Sequence, residues 1–181
     1  GASTHTGGTT VLAGTLDTAG GGTLADTGAL NMRNGATVNA NTADTVGVVS
    51  NSGTFNINTA QQVAALANMS GAVLDQAGDL VVVGQASNSG RWTVAGARSL
   101  GTTGLTGSRS AQLAIGQGST LTLSQSASSS YAGSVSGAGG LTKVGDDTLT
   151  LAGAAGSFDL SGALVINQAT VALDGAGILA T

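Results

Sequence analysis

The one lysine of the sequence, Lys143, stands three and four residues ahead of its one Asp-Asp pair, Asp146 and Asp147, in SGAGGLTKVGDDTLTLAG, Ser136 to Gly153. An amine beside two carboxylates is material for general acid–base chemistry or cation binding. The local pattern argues for something plainer. Alternation sends Leu149 and Leu151 to one face of a strand and Thr148 and Thr150 to the other, and adjacent residues such as Asp146 and Asp147 point apart. The expected role of Lys143 is an exposed pair with Asp146 or Asp147 across a turn, worth under about 1 kcal/mol.

The remaining candidates are few. Asp75 and Asp79 are close enough in sequence to share a groove, as two or three carboxylates do in β-helical enzymes that cut polysaccharides, but no partner base or aromatic sugar platform accompanies them. His5 is the only histidine, so any Ser-His-Asp arrangement would have to use it, and it lies near one end. Gly20-Gly21-Gly22 followed by Thr23-Leu24 lacks the Lys and Ser/Thr of a phosphate loop. Trp92, with Arg91 beside it in NSGRWTVAG, is a candidate surface contact; the competing reading makes Trp92 a core filler. TLTL at Thr120 to Leu123 and again at Thr148 to Leu151 could present outward threonines. No catalytic, cofactor or metal set emerges.

Composition limits the elements that could position such residues. The 181 residues include 31 Gly, no Pro and no Cys, with 2% aromatic and 8% charged residues. That is enough chain for one ordinary domain. The core must be thin, because Phe55, Phe158, Trp92 and Tyr131 are its only aromatics. Every acid is Asp, which suits turns rather than helices. Four scattered arginines (Arg33, Arg91, Arg98 and Arg109) and a net charge of −4 give no basic stripe, so nucleic acid is excluded as an expected partner. A Cys-free chain is compatible with export. GASTHTGGTT has neither region of a signal peptide, and no run of about 18 apolar residues is present.

Short alternating runs recur along the chain, among them TTVLAGTL, GTFNIN, DLVVVG, RWTVAG, STLTLSQS and ALVIN, each bounded by Gly, Asn, Asp or Ser. Strands of this length with so little bulk between them predict an all-β fold: a right-handed parallel β-helix (β-solenoid), one elongated rod over residues 1–181. At roughly 20 residues per coil, about nine coils fit, stacked at about 4.8 Å into a rod on the order of 40 Å long. Two stretches depart from the pattern. NTAQQVAALANMSG, Asn58 to Gly71, spaces Val63, Leu66 and Met69 as a helix does; the alternative is an irregular coil with Val63 and Leu66 inward. SLGTTGLTGSRS, Ser99 to Ser110, reads as a protruding polar loop.

SSSYAGSVSGAGGLTKVGDDTLTLAG, Ser128 to Gly153, resembles the autotransporter-associated β-strand repeat of Gram-negative type V secretion passengers. Tyr131, Gly133, Gly137, Gly139, Leu141, Lys143, Gly145, Leu149, Leu151 and Gly153 fall on that repeat, with Asp147 at the place of its second glycine. THTGGTTVLAGTL, Thr4 to Leu16, is similar to the segment that follows the repeat, with His5 at the aromatic position. The resemblance covers about a fifth of the chain. It implies a non-enzymatic piece of an exported passenger at the cell surface or secreted across the outer membrane, continuous with a C-terminal membrane barrel. The expected function is a stem, with residues 136–181 as a folding module, and adhesion or self-association as its use; the partner would be a second copy or a neighbouring or host cell. A carbohydrate-active β-helix enzyme is the alternative.

Overall fold

The computed structural model describes residues 7–175 together with residues 1, 3 and 5. Every regular element among them is a strand, and every pairing is parallel. The chain winds as a β-solenoid, and its eight-stranded sheet numbers the coils. These strands are Gly14–Asp17, Ala36–Ala40, Thr54–Ile57, Val73–Gln76, Arg91–Val94, Gln112–Ile115, Ser134–Gly137 and Phe158–Leu160, for coils one to eight. Leu164–Asn167 and Thr170–Leu173 begin a ninth, so the count is slightly below the nine expected from length. The final residues of the expected folding module, 176–181, lie outside the described residues.

The larger sheet wraps the other two sides. In coils three to six one long strand covers both: Asp44–Asn51, Gln61–Asn68, Leu80–Asn88 and Ala97–Gly107. In coil seven it divides into Thr120–Gln125 and Ser129–Tyr131, and in coil eight into Gly140–Val144 and Thr148–Leu151. The cross-section is therefore three-sided: a first face, a second face after the bend, and the eight-stranded third face.

Inward residues of like type stack from coil to coil. Val38, Phe55, Leu74, Trp92, Leu113, Val135 and Phe158 form one buried column, and Leu80, Leu100 and Leu123 form another. This suits a sequence poor in large side chains, since each coil needs only a few inward residues and its neighbours complete the burial. Leu149 and Leu151 point inward as alternation requires, while Thr148 and Thr150 stay half-buried outside.

One open alternative is decided and one expectation is corrected: Val63 and Leu66 point inward at an irregularity of the coil, not on a helix. Asn58 to Gly71 contains a strand, Gln61–Asn68, and no helix. Its register shifts between Val63 and Leu66, where the chain turns from first to second face. The bend inserts an extra residue into the alternation, so the two inward residues fall three apart, a spacing that imitates a helix. Ser99 to Ser110 is not a protruding loop; most of it belongs to the strand Ala97–Gly107, bent in the same way between Thr102 and Gly104. Two of its glycines, Gly104 and Gly107, are packing residues. A methyl at Gly104 would lie 3.0 Å from the Ser129 Cβ, and one at Gly107 would enter the ring of Tyr131.

Candidate functional site

The charged residues singled out by the sequence have separate destinations. Lys143 is fully buried, where an exposed turn pair was expected. It continues the Leu80–Leu100–Leu123 column, with Leu123 in register on one side and Ile166 on the other. Its Nζ donates to the Val144 carbonyl at 2.7 Å, and neither Asp146 nor Asp147 forms an ion pair with it. Burial pulls the ammonium pKa below its ordinary value, and the Asp147 and Asp146 charges work against that shift. The reason for the correction is periodicity: Lys143 follows Leu141 by two residues and shares its inward face.

Asp75 and Asp79 do not act together. Asp75 lies 3.6 Å from the Arg91 guanidinium, whereas Asp79 Oδ1 accepts the backbone N–H of Ser99 at 2.9 Å. Asp17 accepts from Asn39 Nδ2 at 2.5 Å and from Asn41 Nδ2 at 3.4 Å. Asp44 receives the Leu24 and Thr45 amides at 2.7 and 2.8 Å. It lines a groove of about 500 Å³ with Asp26 and Gln62 nearby, but both its oxygens are already engaged by backbone. His5 is exposed and bonds Ser3 Oγ and, at 3.1 Å, Thr9 Oγ1. Among the described residues no three metal-ligating side chains cluster.

Trp92 is a core residue, which overturns its candidacy as a surface contact. Its ring takes an inward position of the third face, and its Nε1–H donates to Gln76 Oε1 at 3.1 Å while Gln76 Nε2 donates to the Ser99 carbonyl at 2.9 Å. That buried chain ties coils four, five and six together and fixes the strand that presents Arg91. Arg91 itself is on the outer surface, its side chain 51% exposed. Among the described residues its guanidinium donates no hydrogen bond, and Asp75 is its only ionic neighbour. It lines a groove of about 330 Å³ with Ser70, Ser89, Gly90, Ser110 and Gln112.

The corner beside that groove carries a feature that the sequence reading missed. Asn51, Asn68 and Asn88 occupy one inward position in coils three, four and five. Asn51 Nδ2 donates to Asn68 Oδ1 at 2.8 Å and Asn68 Nδ2 to Asn88 Oδ1 at 2.8 Å. Their second hydrogens reach the carbonyls of Val73 and Arg91. In coil six the same position is Gly107, and in coil seven it is Tyr131. The tyrosine ring lies over the glycine, and its hydroxyl accepts from Asn88 Nδ2 at 2.9 Å, two coils away. Burial pushes the Tyr131 phenol above its ordinary pKa, more than the bond from Asn88 lowers it. The recurring Asn-Ser-Gly and Asn-Met-Ser-Gly at these corners was the available signal.

Of the repeat-motif residues, Tyr131, Leu141, Lys143, Leu149 and Leu151 are buried. Gly137, at φ 122°, and Gly145, at φ 89°, adopt backbone that side chains disfavour, and a methyl at Gly133 or Gly139 would overlap the preceding coil. The motif thus describes how one coil seats on the last. What the fold defines is a parallel β-solenoid with an amide-laddered core. No family model matches the chain, and neither a curated protein nor a solved structure matches it.

Proposed function

We propose that this chain is a structural stem and folding module of an exported surface protein, without catalytic activity of its own. The observation that carries the reading is the destination of its polar groups: the corner amides, the buried lysine and the carboxylates of Asp17, Asp44, Asp75 and Asp79 bond neighbouring coils or local backbone, and among the described residues the one groove with two carboxylates, Asp26 and Asp44, has both Asp44 oxygens taken by backbone amides. Such a rod extends by adding coils, each templated by the exposed edge of the last. For a passenger threading an outer membrane, folding coil by coil on the far side would favour one-way movement, and few charges with no disulfides would ease the passage. The repeat between Ser128 and Gly153 is the link to autotransporter passengers, with a membrane barrel following in the full protein and adhesion or self-association as its use.

The test is refolding from urea, followed by Trp92 fluorescence, for the whole chain and for a chain lacking residues 136–181. Trp92 lies in coil five, outside the deletion. Loss or at least a tenfold slowing of refolding is expected; unchanged kinetics would overturn the folding-module role. Sedimentation velocity over a wide concentration range should find an elongated particle, and a compact monomer would overturn the stem.

A further inference from the structure

The groove at Arg91 has a specific origin in chain length. Asn68, Asn88 and Gly107 stack in register, as do Leu74, Trp92 and Leu113. Between these fixed columns coil four has five residues (69–73), coil five has three (89–91) and coil six has five (108–112). The longer corners close as turns, Ala72 N–H to the Met69 carbonyl and Ala111 N–H to the Ser108 carbonyl, both at 3.0 Å. The short corner of coil five is therefore recessed between two protruding turns. Its backbone is already satisfied, Ser89 N–H bonding the Asn68 carbonyl, Arg91 N–H the Ala72 carbonyl, and Gln112 N–H the Gly90 carbonyl. Among the described residues the Arg91 guanidinium, the Ser70 and Ser89 hydroxyls and the Gln112 side-chain amide make no hydrogen bond, while the Ser110 hydroxyl bonds that of Ser108 at 3.1 Å.

We infer that this recess is a binding site for an acidic sugar unit, a pyranose bearing a carboxylate. Among the described residues Arg91 is the only charged side chain lining it; the Asp75 carboxylate stands 3.6 Å from its guanidinium, outside the recess lining and too far for a hydrogen bond, so the fork of donors stays unbonded. A planar guanidinium matches a carboxylate in two parallel bonds. The walls add hydroxyls from Ser70, Ser89 and Ser110 and the amide of Gln112, groups that give and accept hydrogen bonds with ring hydroxyls. A volume of about 330 Å³ suits one small ligand. A phosphorylated ligand is a poorer match, since a single guanidinium would face a dianion. A peptide carboxylate is also poorer, because the recess has no large apolar wall for a neighbouring side chain. The site is rigid: Trp92 anchors the strand from within through Gln76, so the ligand meets donors already in place.

The experiment is an amide and arginine Nε NMR titration of the intact chain with sodium glucuronate, with glucose and sodium acetate as parallel probes. Glucuronate should shift the signals of Ser89, Gly90, Arg91 and Gln112, and should bind at least tenfold more tightly than either probe. Arg91→Gln should weaken it at least tenfold, Arg91→Lys should fall between, and Arg33→Gln should leave it unchanged. Acetate binding as well as glucuronate would reduce the site to a bare anion contact and overturn the sugar assignment. Shifts that survive Arg91→Gln, or that scatter equally over Arg33 and Arg109, would overturn the site itself.

Discussion

Gly107 and Tyr131 make a prediction whose sign depends on the described packing. A methyl at position 107 would stand 2.6 Å from Cδ2 and 2.9 Å from Cζ of Tyr131, far inside the ~3.5–4.0 Å of favourable carbon contact. In the wild-type background Gly107→Ala must displace a fully buried ring and its bond from Asn88. Overpacking of this kind costs about 1–3 kcal/mol and a buried hydrogen bond about 1 kcal/mol more, giving an expected loss of about 2–4 kcal/mol. Tyr131→Ala alone removes the ring and should cost about 3–5 kcal/mol. With the ring gone, the methyl at 107 has room, and alanine in a strand is favoured over glycine by roughly 0.5–1 kcal/mol. The same substitution should therefore turn from destabilising to neutral or stabilising. Urea unfolding of the four chains, read by Trp92 fluorescence, gives the cycle directly, with an interaction energy of at least about 2 kcal/mol expected. Equal costs of Gly107→Ala in both backgrounds would refute the placement of Tyr131 over coil six.

Asn68→Leu removes the middle rung of the buried ladder and strips Asn51 Nδ2 and Asn88 Oδ1 of a partner; at about 1–3 kcal/mol per unsatisfied group the urea midpoint should fall sharply, and a midpoint near wild type would deny the ladder. Lys143→Met should raise stability at neutral pH by about 1 kcal/mol or more, since a buried ammonium with one bonded carbonyl is replaced by an apolar chain. Because the folded pKa of Lys143 is depressed, the unfolded chain binds more protons below ~10.5, so wild-type stability should rise with pH toward that value and the Met variant should lack this rise; identical slopes would refute it. Tyr131 behaves oppositely: its folded pKa is raised, so its contribution is fully present below ~10 and is lost as pH climbs beyond. Tyr131→Phe should remove that alkaline decline, and ultraviolet absorbance should show wild-type phenolate appearing only with unfolding.

The fold was legible because alternation and turn residues survive even in a chain without bulk. TLTL, RWTV and TFNI each became a strand of the expected kind, and the shortage of aromatics pointed correctly to stacked coils. Misreadings came where local pattern and packing speak differently. Val63 and Leu66 fall three apart because a strand bends there. Gly101, Gly104 and Gly107 look like loop composition, yet the last two are small because the next coil lies against them. The charge of Lys143 and the reactivity of its Asp neighbours drew attention from a simple fact of period two, that it must face the same way as Leu141. Asn51, Asn68 and Asn88 were visible as turn residues, but their mutual bonding depends on corners 17 and 20 residues apart meeting in space. The Arg91 recess depends on a difference in length between such corners, which has meaning only once the coils are in register.

The seclusion of Lys143 has a practical consequence. Because it is the sole lysine of the sequence and is sealed inside coil eight, a lysine-specific protease has one site on the whole chain and no access to it in the folded rod. Cleavage after Lys143 would then keep time for one event, the opening of coils eight and nine. The described stretch carries a single concealed clock, set in its eighth coil.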